Sequence, residues 1–161
     1  MTISAGDKLP EANLIRLGAN GPEAVSTGAL TKGRKVVIFA VPGAFTPTCH
    51  SAHVPSFVRT IDQFKAKGVD EVVCVSVNDV FVMKAWGEAT GATAAGITML
   101  SDTGEYTKAL GLSFDGAAAG LIGRSKRYAM YVVDGVVEKL HLEESPGACE
   151  ISGGEALLAE I

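Results

Sequence analysis

The sequence predicts an α/β sandwich: a central mixed β-sheet flanked by helices. Three observations carry this prediction. Two short runs rich in β-branched residues are each followed by a segment whose apolar residues recur every three or four positions, so strand and helix alternate. A third, shorter strand and helix continue the series, which is the signature of crossover connections. Two further apolar runs then meet at Asp134-Gly135, a dipeptide suited to a tight hairpin, and so add antiparallel pairing to the sheet.

The first strand is Lys35-Val36-Val37-Ile38-Phe39-Ala40-Val41, stopped by Pro42-Gly43 because Pro42 has no N–H to give to a ladder. Val54, Phe57, Val58, Ile61 and Phe64 then fall on one face of a helix reaching Gly68, with Pro55 bending it or marking its first turn. A second strand spans Glu71 to Val77. Asn78-Asp79 caps the next helix, which runs through Phe81, Met83, Trp86 and Ala89 towards Gly91. Ile97 to Leu100 reads as a short strand and Thr103 to Leu110 as a short helix ending at Gly111. Tyr128 to Val133 and Val136 to Leu142 form the hairpin, and Gly153 to Ile161 a last helix. Ala92 to Gly96 and Gly116 to Gly123, rich in small residues, read as loops. This order fits a thioredoxin-like architecture. Its 161 residues suit one domain, 1–161, long enough to bury a substantial core.

Charge and hydropathy narrow the class. A net charge of −4 without a Lys/Arg stripe leaves no footprint for nucleic acid. The longest apolar stretches, Val36 to Val41 and Tyr128 to Val133, fall far short of the roughly 20 residues a membrane-spanning helix needs. Met1-Thr2-Ile3-Ser4-Ala5-Gly6-Asp7 has neither the basic start and apolar core of a signal peptide nor the Arg/Ser bias of a transit peptide, which predicts a cytoplasmic address. Cys49, Cys74 and Cys149 are an odd set without a CxxC, so at least one thiol is expected free.

The informative segment is Pro42-Gly43-Ala44-Phe45-Thr46-Pro47-Thr48-Cys49, between the first strand and its helix. A thiol in the first turn of a helix lies beside unpaired backbone N–H groups and the positive end of the helix dipole. Both favour the thiolate, which is the nucleophile. Thr46 stands three residues before Cys49, where a dithiol motif would carry its first sulfur, and offers a hydroxyl to a small oxygen-bearing substrate.

Pro42-x-x-x-Thr46-x-x-Cys49 resembles the active-site motif of the peroxiredoxins. The longer pattern Val41 to Cys49, His53-Val54-Pro55, Ser76-Val77-Asn78-Asp79, Phe81-Val82-Met83 and Ala85-Trp86 is similar to the type II, peroxiredoxin-5-like subgroup, over essentially the whole chain. The resemblance implies that Cys49 is the peroxidatic cysteine, Thr46 binds the peroxide, Pro42 shields the pocket and Arg124 supplies the active-site guanidinium. It implies a homodimer packed near the active-site loops and a thiol-dependent peroxidase acting on hydrogen peroxide or small alkyl hydroperoxides through a cysteine sulfenic acid. Thioredoxin, glutaredoxin or glutathione would recycle it, with no cofactor. Cys149, in Ser145-Pro146-Gly147-Ala148-Cys149, resembles the C-terminal resolving position of animal members. His50 departs from the Ser that often follows the peroxidatic cysteine, and Val80 from a common Pro.

Cys74, among β-branched neighbours, reads as a core residue. Cys49, His50 and His53 lack a fourth ligand at suitable spacing, so no metal is expected, and His53 reads as structural. Two rival readings remain: a peroxide-responsive redox sensor acting through Cys49 oxidation, and a holdase-like chaperone, for which the chain lacks a long exposed apolar segment.

Overall fold

The computed structural model describes residues 2–161. A seven-stranded sheet has the order β2-β1-β5-β4-β3-β8-β9. Its strands are β1 (Asn13–Gly18), β2 (Gly21–Ser26), β3 (Lys35–Val41), β4 (Glu71–Ser76), β5 (Thr98–Ser101), β8 (Tyr128–Val133) and β9 (Val136–Leu142). β3, β4 and β5 are parallel, and the other pairings are antiparallel. The mixed sheet and thioredoxin-like fold expected from the element order are therefore present.

Both faces of the sheet are covered, which is why β3 and β4 read as continuous apolar runs rather than alternating ones. Val36, Ile38 and Ala40 of β3 pack on one side with Leu14, Leu100, Tyr106 and Met130. Val37, Phe39 and Val41 face the other side, against Phe57, Ile61 and Phe64 of α2 (Val54–Ala66) and Met83 and Trp86 of α3 (Val80–Ala89). Asp79 caps α3 through its side chain to Phe81 N and Val82 N, as the sequence predicts. Pro55 follows directly on a π-helical turn, Cys49–His53, inside a continuous helical run, and the wider turn accommodates the hydrogen bond that Pro55 cannot make. The β8–β9 hairpin turns on Asp134 and Gly135, both at positive φ (48° and 78°), the geometry that favours Asp-Gly.

The structure departs from the sequence reading at three places. β1, β2 and α1 (Thr27–Thr31) fill an N-terminal stretch for which the pattern gave no element, because edge strand β2 is Gly-Pro-Glu-Ala-Val-Ser, with no buried residue. Ala92–Ala95 is a helical turn, α4, rather than a loop, held between Gly91 and Gly96 at positive φ, with Ala92 buried. The Gly116 to Gly123 stretch is a 3₁₀ turn at Ala117–Ala119 between β6 (Ser113–Gly116) and β7 (Leu121–Ser125), which form a separate two-stranded sheet. Two short helices complete the fold, α5 (Glu105–Ala109) and α6 (Gly154–Leu158). Among the described residues no helix is long and apolar enough to cross a membrane.

Candidate active site

Central strand β3 ends at Val41, and the chain then makes an open loop through Pro42 to Thr46 before turning helical at Pro47 and Thr48 and entering the π-helical turn, Cys49–His53, that runs into α2. Cys49 therefore lies at the N-terminal end of a helical segment, fully buried. The loop is fastened at several points. Thr46 Oγ1 donates to Gly43 O at 2.7 Å, Ala44 N donates to Asn78 Oδ1 at 3.0 Å, and His50 N donates to Thr46 O at 2.9 Å. With its proton committed to Gly43, the Thr46 hydroxyl presents lone pairs, which makes it an acceptor for an O–H of a bound molecule.

The guanidinium at the sulfur belongs to Arg127. Its Nη2 lies 2.9 Å from Cys49 Sγ, and its Nη1 lies 2.9 Å from His53 Nδ1. Nε and Nη2 donate to Pro146 O at 3.2 and 3.0 Å. Arg124, the residue expected in this role, reaches Pro42 O instead, at 3.3 Å. A Cβ placed on Gly43 would come within 2.9 Å of Arg124 Nη1, so Arg124 braces the loop at Pro42-Gly43.

The strand register explains the exchange. Ala40 of β3 pairs with Tyr128 of β8, which sets residue 127 beside the C-terminal end of β3, where the Pro42 loop begins. Arg124 lies three residues earlier, in the β6–β7 sheet.

His53 is fully buried, and its two nitrogens are fixed by their partners. Arg127 can only donate, so Nδ1 accepts. Ser152 O can only accept, so Nε2 carries the proton and donates across 2.9 Å. Burial and, next, the Arg127 charge lower the His53 pKa to about 3 against the opposing pull of the Ser152 bond, so the ring is neutral at physiological pH. Sequence reasoning treated His53 as structural and missed its contact with Arg127. The spacing of Cys49 and His53, four residues apart on one helical segment, was the available signal.

The segment carrying Cys149 is docked on the same site. Thr48 Oγ1 donates to Gly147 O at 2.9 Å, and Arg127 holds Pro146. Cys149 is partly buried and unpaired; burial raises its thiol pKa, while the Ser152 hydroxyl and the Arg127 charge pull the other way. Cys74 lies inside β4, fully buried, and burial raises its thiol well above the ordinary range. Pro42 is buried at the base of the loop.

His50 turns away from the sulfur-bound arginine. Its Nδ1 accepts from Trp86 Nε1 at 3.0 Å, and its ring stacks on Phe45 with centroids 5.9 Å apart.

The Redoxin family profile matches residues 4–158. Among curated proteins, the chain is 49% identical to the chloroplastic peroxiredoxin-2E-2 of Oryza sativa subsp. japonica over 165 residues, covering 99% of this chain and 73% of that protein. Among solved structures it resembles reduced Prx3 from Vibrio vulnificus in complex with hydrogen peroxide, with a TM-score of 0.92, 49% identity and 99% of each chain covered. It also resembles peroxiredoxin 5 from Alvinella pompejana, with a TM-score of 0.84, 32% identity, and 98% and 96% covered. A thiol held by a buried arginine at the head of a helix, on this fold and with these relatives, places the chain in the peroxiredoxin family, type II or peroxiredoxin-5-like, whose members are thiol peroxidases.

Proposed function

We propose that Cys49 is the peroxidatic residue and that Arg127, with Thr46, forms the peroxide site. The 2.9 Å contact between Arg127 Nη2 and Cys49 Sγ carries this reading. The thiolate sulfur attacks the terminal oxygen of R–O–O–H. The S–O bond forms as the O–O bond breaks, Cys49 becomes a sulfenic acid, and the departing alkoxide or hydroxide takes up a proton to leave as alcohol or water. Arg127 stays charged and presents planar donors both to the sulfur and to the oxygen that gains charge. Thr46 accepts the hydroperoxide O–H, and Pro42 excludes water from the loop base. Arg124 acts through Pro42 and Gly43 as a brace on the loop.

Cys49 has no exposed surface, so substrate enters through a local opening, which suits hydrogen peroxide and small alkyl hydroperoxides. The sulfenic acid then condenses with a thiol, releasing water and forming a disulfide; one external thiol restores Cys49 where the first thiol was itself external, and two, or one dithiol, where it was internal, the external sulfurs leaving as a disulfide. Cys149, on a segment already seated against Thr48 and Arg127, is the candidate internal resolving thiol. Thioredoxin, glutaredoxin or glutathione is the external reductant. Phe45, Phe81 and Ile122 are exposed on segments joined around the loop, through Ala44 to Asn78 and through Pro42 to Arg124, which supports a homodimer paired over that face; one seven-stranded sheet covered on both faces supports a single-domain chain. Three unpaired thiols suit a reducing compartment such as the cytosol.

The test is to treat the reduced protein with one equivalent of hydrogen peroxide and map the products by intact mass and peptide analysis in wild type, Cys49→Ser and Cys149→Ser. Rapid oxidation dependent on Cys49 is expected. A Cys49–Cys149 disulfide makes this a two-cysteine enzyme, and a lasting Cys49 sulfenic acid assigns resolution to an external thiol. Oxidation no faster than that of an ordinary thiol overturns the reading.

A further inference from the structure

Glu143 follows β9 and lies outside the peroxide site, yet its side chain is buried. Its Oε2 accepts four hydrogen bonds, from Glu150 N at 2.9 Å, Ile151 N at 2.9 Å, Ser152 N at 2.7 Å and Ser152 Oγ at 2.6 Å. Its own backbone N donates to Arg127 O at 3.0 Å. Among the described residues no Lys, Arg or His forms an ion pair with it. A buried carboxylate held by three backbone N–H groups and one hydroxyl, without a cation, is costly to assemble, and it fixes the three residues it grips. One of them, Ser152, presents the carbonyl that holds His53 Nε2–H, and His53 Nδ1 in turn holds Arg127.

We propose that Glu143 is a positioning residue for the peroxidatic centre. By clasping residues 150–152, it aims the Ser152 carbonyl at His53, keeps His53 in the Nε2–H tautomer, and so leaves Nδ1 free to orient the Arg127 guanidinium against Cys49. The tautomer is the link that matters. If the Ser152 carbonyl drifts, Arg127 alone is left to keep the proton on Nε2, and the other tautomer becomes accessible. An Nδ1–H ring would point its hydrogen at the Arg127 N–H and repel the group it now steers. The local charge balance supports the clasp. Burial opposes ionisation of Glu143, but the hydrogen bonds from Ser152, Glu150 and Ile151 outweigh it and hold the carboxyl below its ordinary range, so the acceptor is ionised at physiological pH.

This inference rests on the peroxidase reading for its kinetic readout and on geometry alone for its spectroscopic one. The experiment compares wild type with Glu143→Ala, which removes the clasp, and Glu143→Asp, which keeps the charge but withdraws it by one bond. His53 tautomers are read from ¹⁵N–¹H correlation of the imidazole nitrogens, and the second-order rate of Cys49 oxidation by hydrogen peroxide is measured on the same samples. Wild type is expected wholly Nε2–H. Glu143→Ala is expected to show mixed tautomers and a rate about tenfold lower, and Glu143→Asp partial mixing and a rate about threefold lower. Should Glu143→Ala fail to fold, Glu143→Asp decides. A folded variant that keeps the Nε2–H tautomer and a rate within twofold of wild type, whatever its loss of stability, overturns the proposal. A wild type that reacts no faster than a free thiol defeats the peroxidase reading but leaves the tautomer test of Glu143 standing.

Discussion

Arg127 and Cys49 meet at 2.9 Å, guanidinium Nη2 to thiol sulfur, and the same guanidinium is tied to His53 and Pro146, which leaves one N–H on Nη1 for the reacting oxygen. An arginine anchored on three sides cannot follow the sulfur if the sulfur moves, so its charge is preorganised for the reaction rather than recruited to it. Replacing it by Lys keeps a positive charge but loses the planar fork. Arg127→Lys is expected to slow peroxide reduction by about 10²-fold, near the loss seen when one preorganised donor is removed from an active site. Arg124→Ala, which gives up only the brace on Pro42, is expected to cost less than about tenfold. Stopped-flow rates for both variants, with unfolding curves to show that each is folded, decide the assignment. The reverse order of effects would return the catalytic role to Arg124.

The same pair shows where the sequence is legible and where it is not. β3, β4, α2, α3 and the β8–β9 hairpin are written in periodicity and turn chemistry, because each buries a face or turns on Asp-Gly. Cys49 and Thr46 follow from a compact local motif. The arginine does not, because Arg124 and Arg127 share one short basic stretch and only the pairing of Ala40 with Tyr128 decides which reaches the loop. The hairpin turn fixes β8 against β9 and leaves β8 against β3 open, so this long-range register has no local signature in the sequence. The Glu143 clasp has none either. It joins residues 143 and 150–152 through a carboxylate folded onto backbone, and backbone donors carry no sequence identity.

His53 makes the folded state sensitive to acid. In the native protein burial, followed by the Arg127 charge, lowers its pKa to about 3, whereas the unfolded chain takes up a proton near the ordinary value of 6.5. Between these values the unfolded state binds more protons, so stability is complete above pH 6.5 and is lost as the pH falls towards 3. At 1.36 kcal/mol per unit, the whole window is worth about 5 kcal/mol, and the part between pH 6.5 and 4 about 3 kcal/mol. Urea unfolding at pH 7 and pH 4 is expected to show wild type losing about 3 kcal/mol more than His53→Gln, which has no proton to gain. Glu143, with its carboxyl held low, adds a loss of the same sign as it protonates at the acid end, but it does so in both proteins. Equal losses in the two would show that His53 is not the group responsible.

The three thiols are expected to separate by reactivity. Cys49 and Cys74 both lack exposed surface, but Cys49 lies under the Pro42–Thr46 loop, whose opening admits a reagent, whereas Cys74 is held inside β4 between Val73 and Val75 and behaves as a small apolar residue. Under native conditions at pH 7, a limiting alkylating reagent should modify Cys49 first, Cys149 more slowly because burial raises its thiol, and Cys74 only after unfolding. Cys74→Val should leave peroxide turnover within twofold of wild type and change stability by less than about 1.5 kcal/mol, because the volumes are similar. Peptide mapping after timed quenching gives the order. Early modification of Cys74 would mean that β4 opens on the timescale of the reaction.

The seam between α6 and α2 offers a paired test of packing behind the site. Gly154 N donates to Ser56 Oγ at 2.8 Å, and Ser56 Oγ donates to His53 O at 2.6 Å, so the start of α6 is tied to the turn that carries His53. A Cβ on Gly154 would lie 2.5 Å from Ser56 O, a backbone atom that cannot swing aside, and would also strike Thr60 Oγ1. One residue earlier, a Cβ on Gly153 would meet nothing nearer than Ser56 Oγ at 3.6 Å, an ordinary contact. Gly154→Ala is therefore expected to destabilise the protein by about 1–3 kcal/mol, the usual cost of overpacking. Gly153→Ala, at a negative φ open to any residue, is expected to stay within about 0.5 kcal/mol. Because Ser152 lies just before this seam, the displaced helix should also loosen the His53 contact, and Gly154→Ala should slow Cys49 oxidation where Gly153→Ala does not. Chemical denaturation and peroxide kinetics on the two variants read both effects. Equal behaviour would mean that α6 shifts freely without disturbing the histidine.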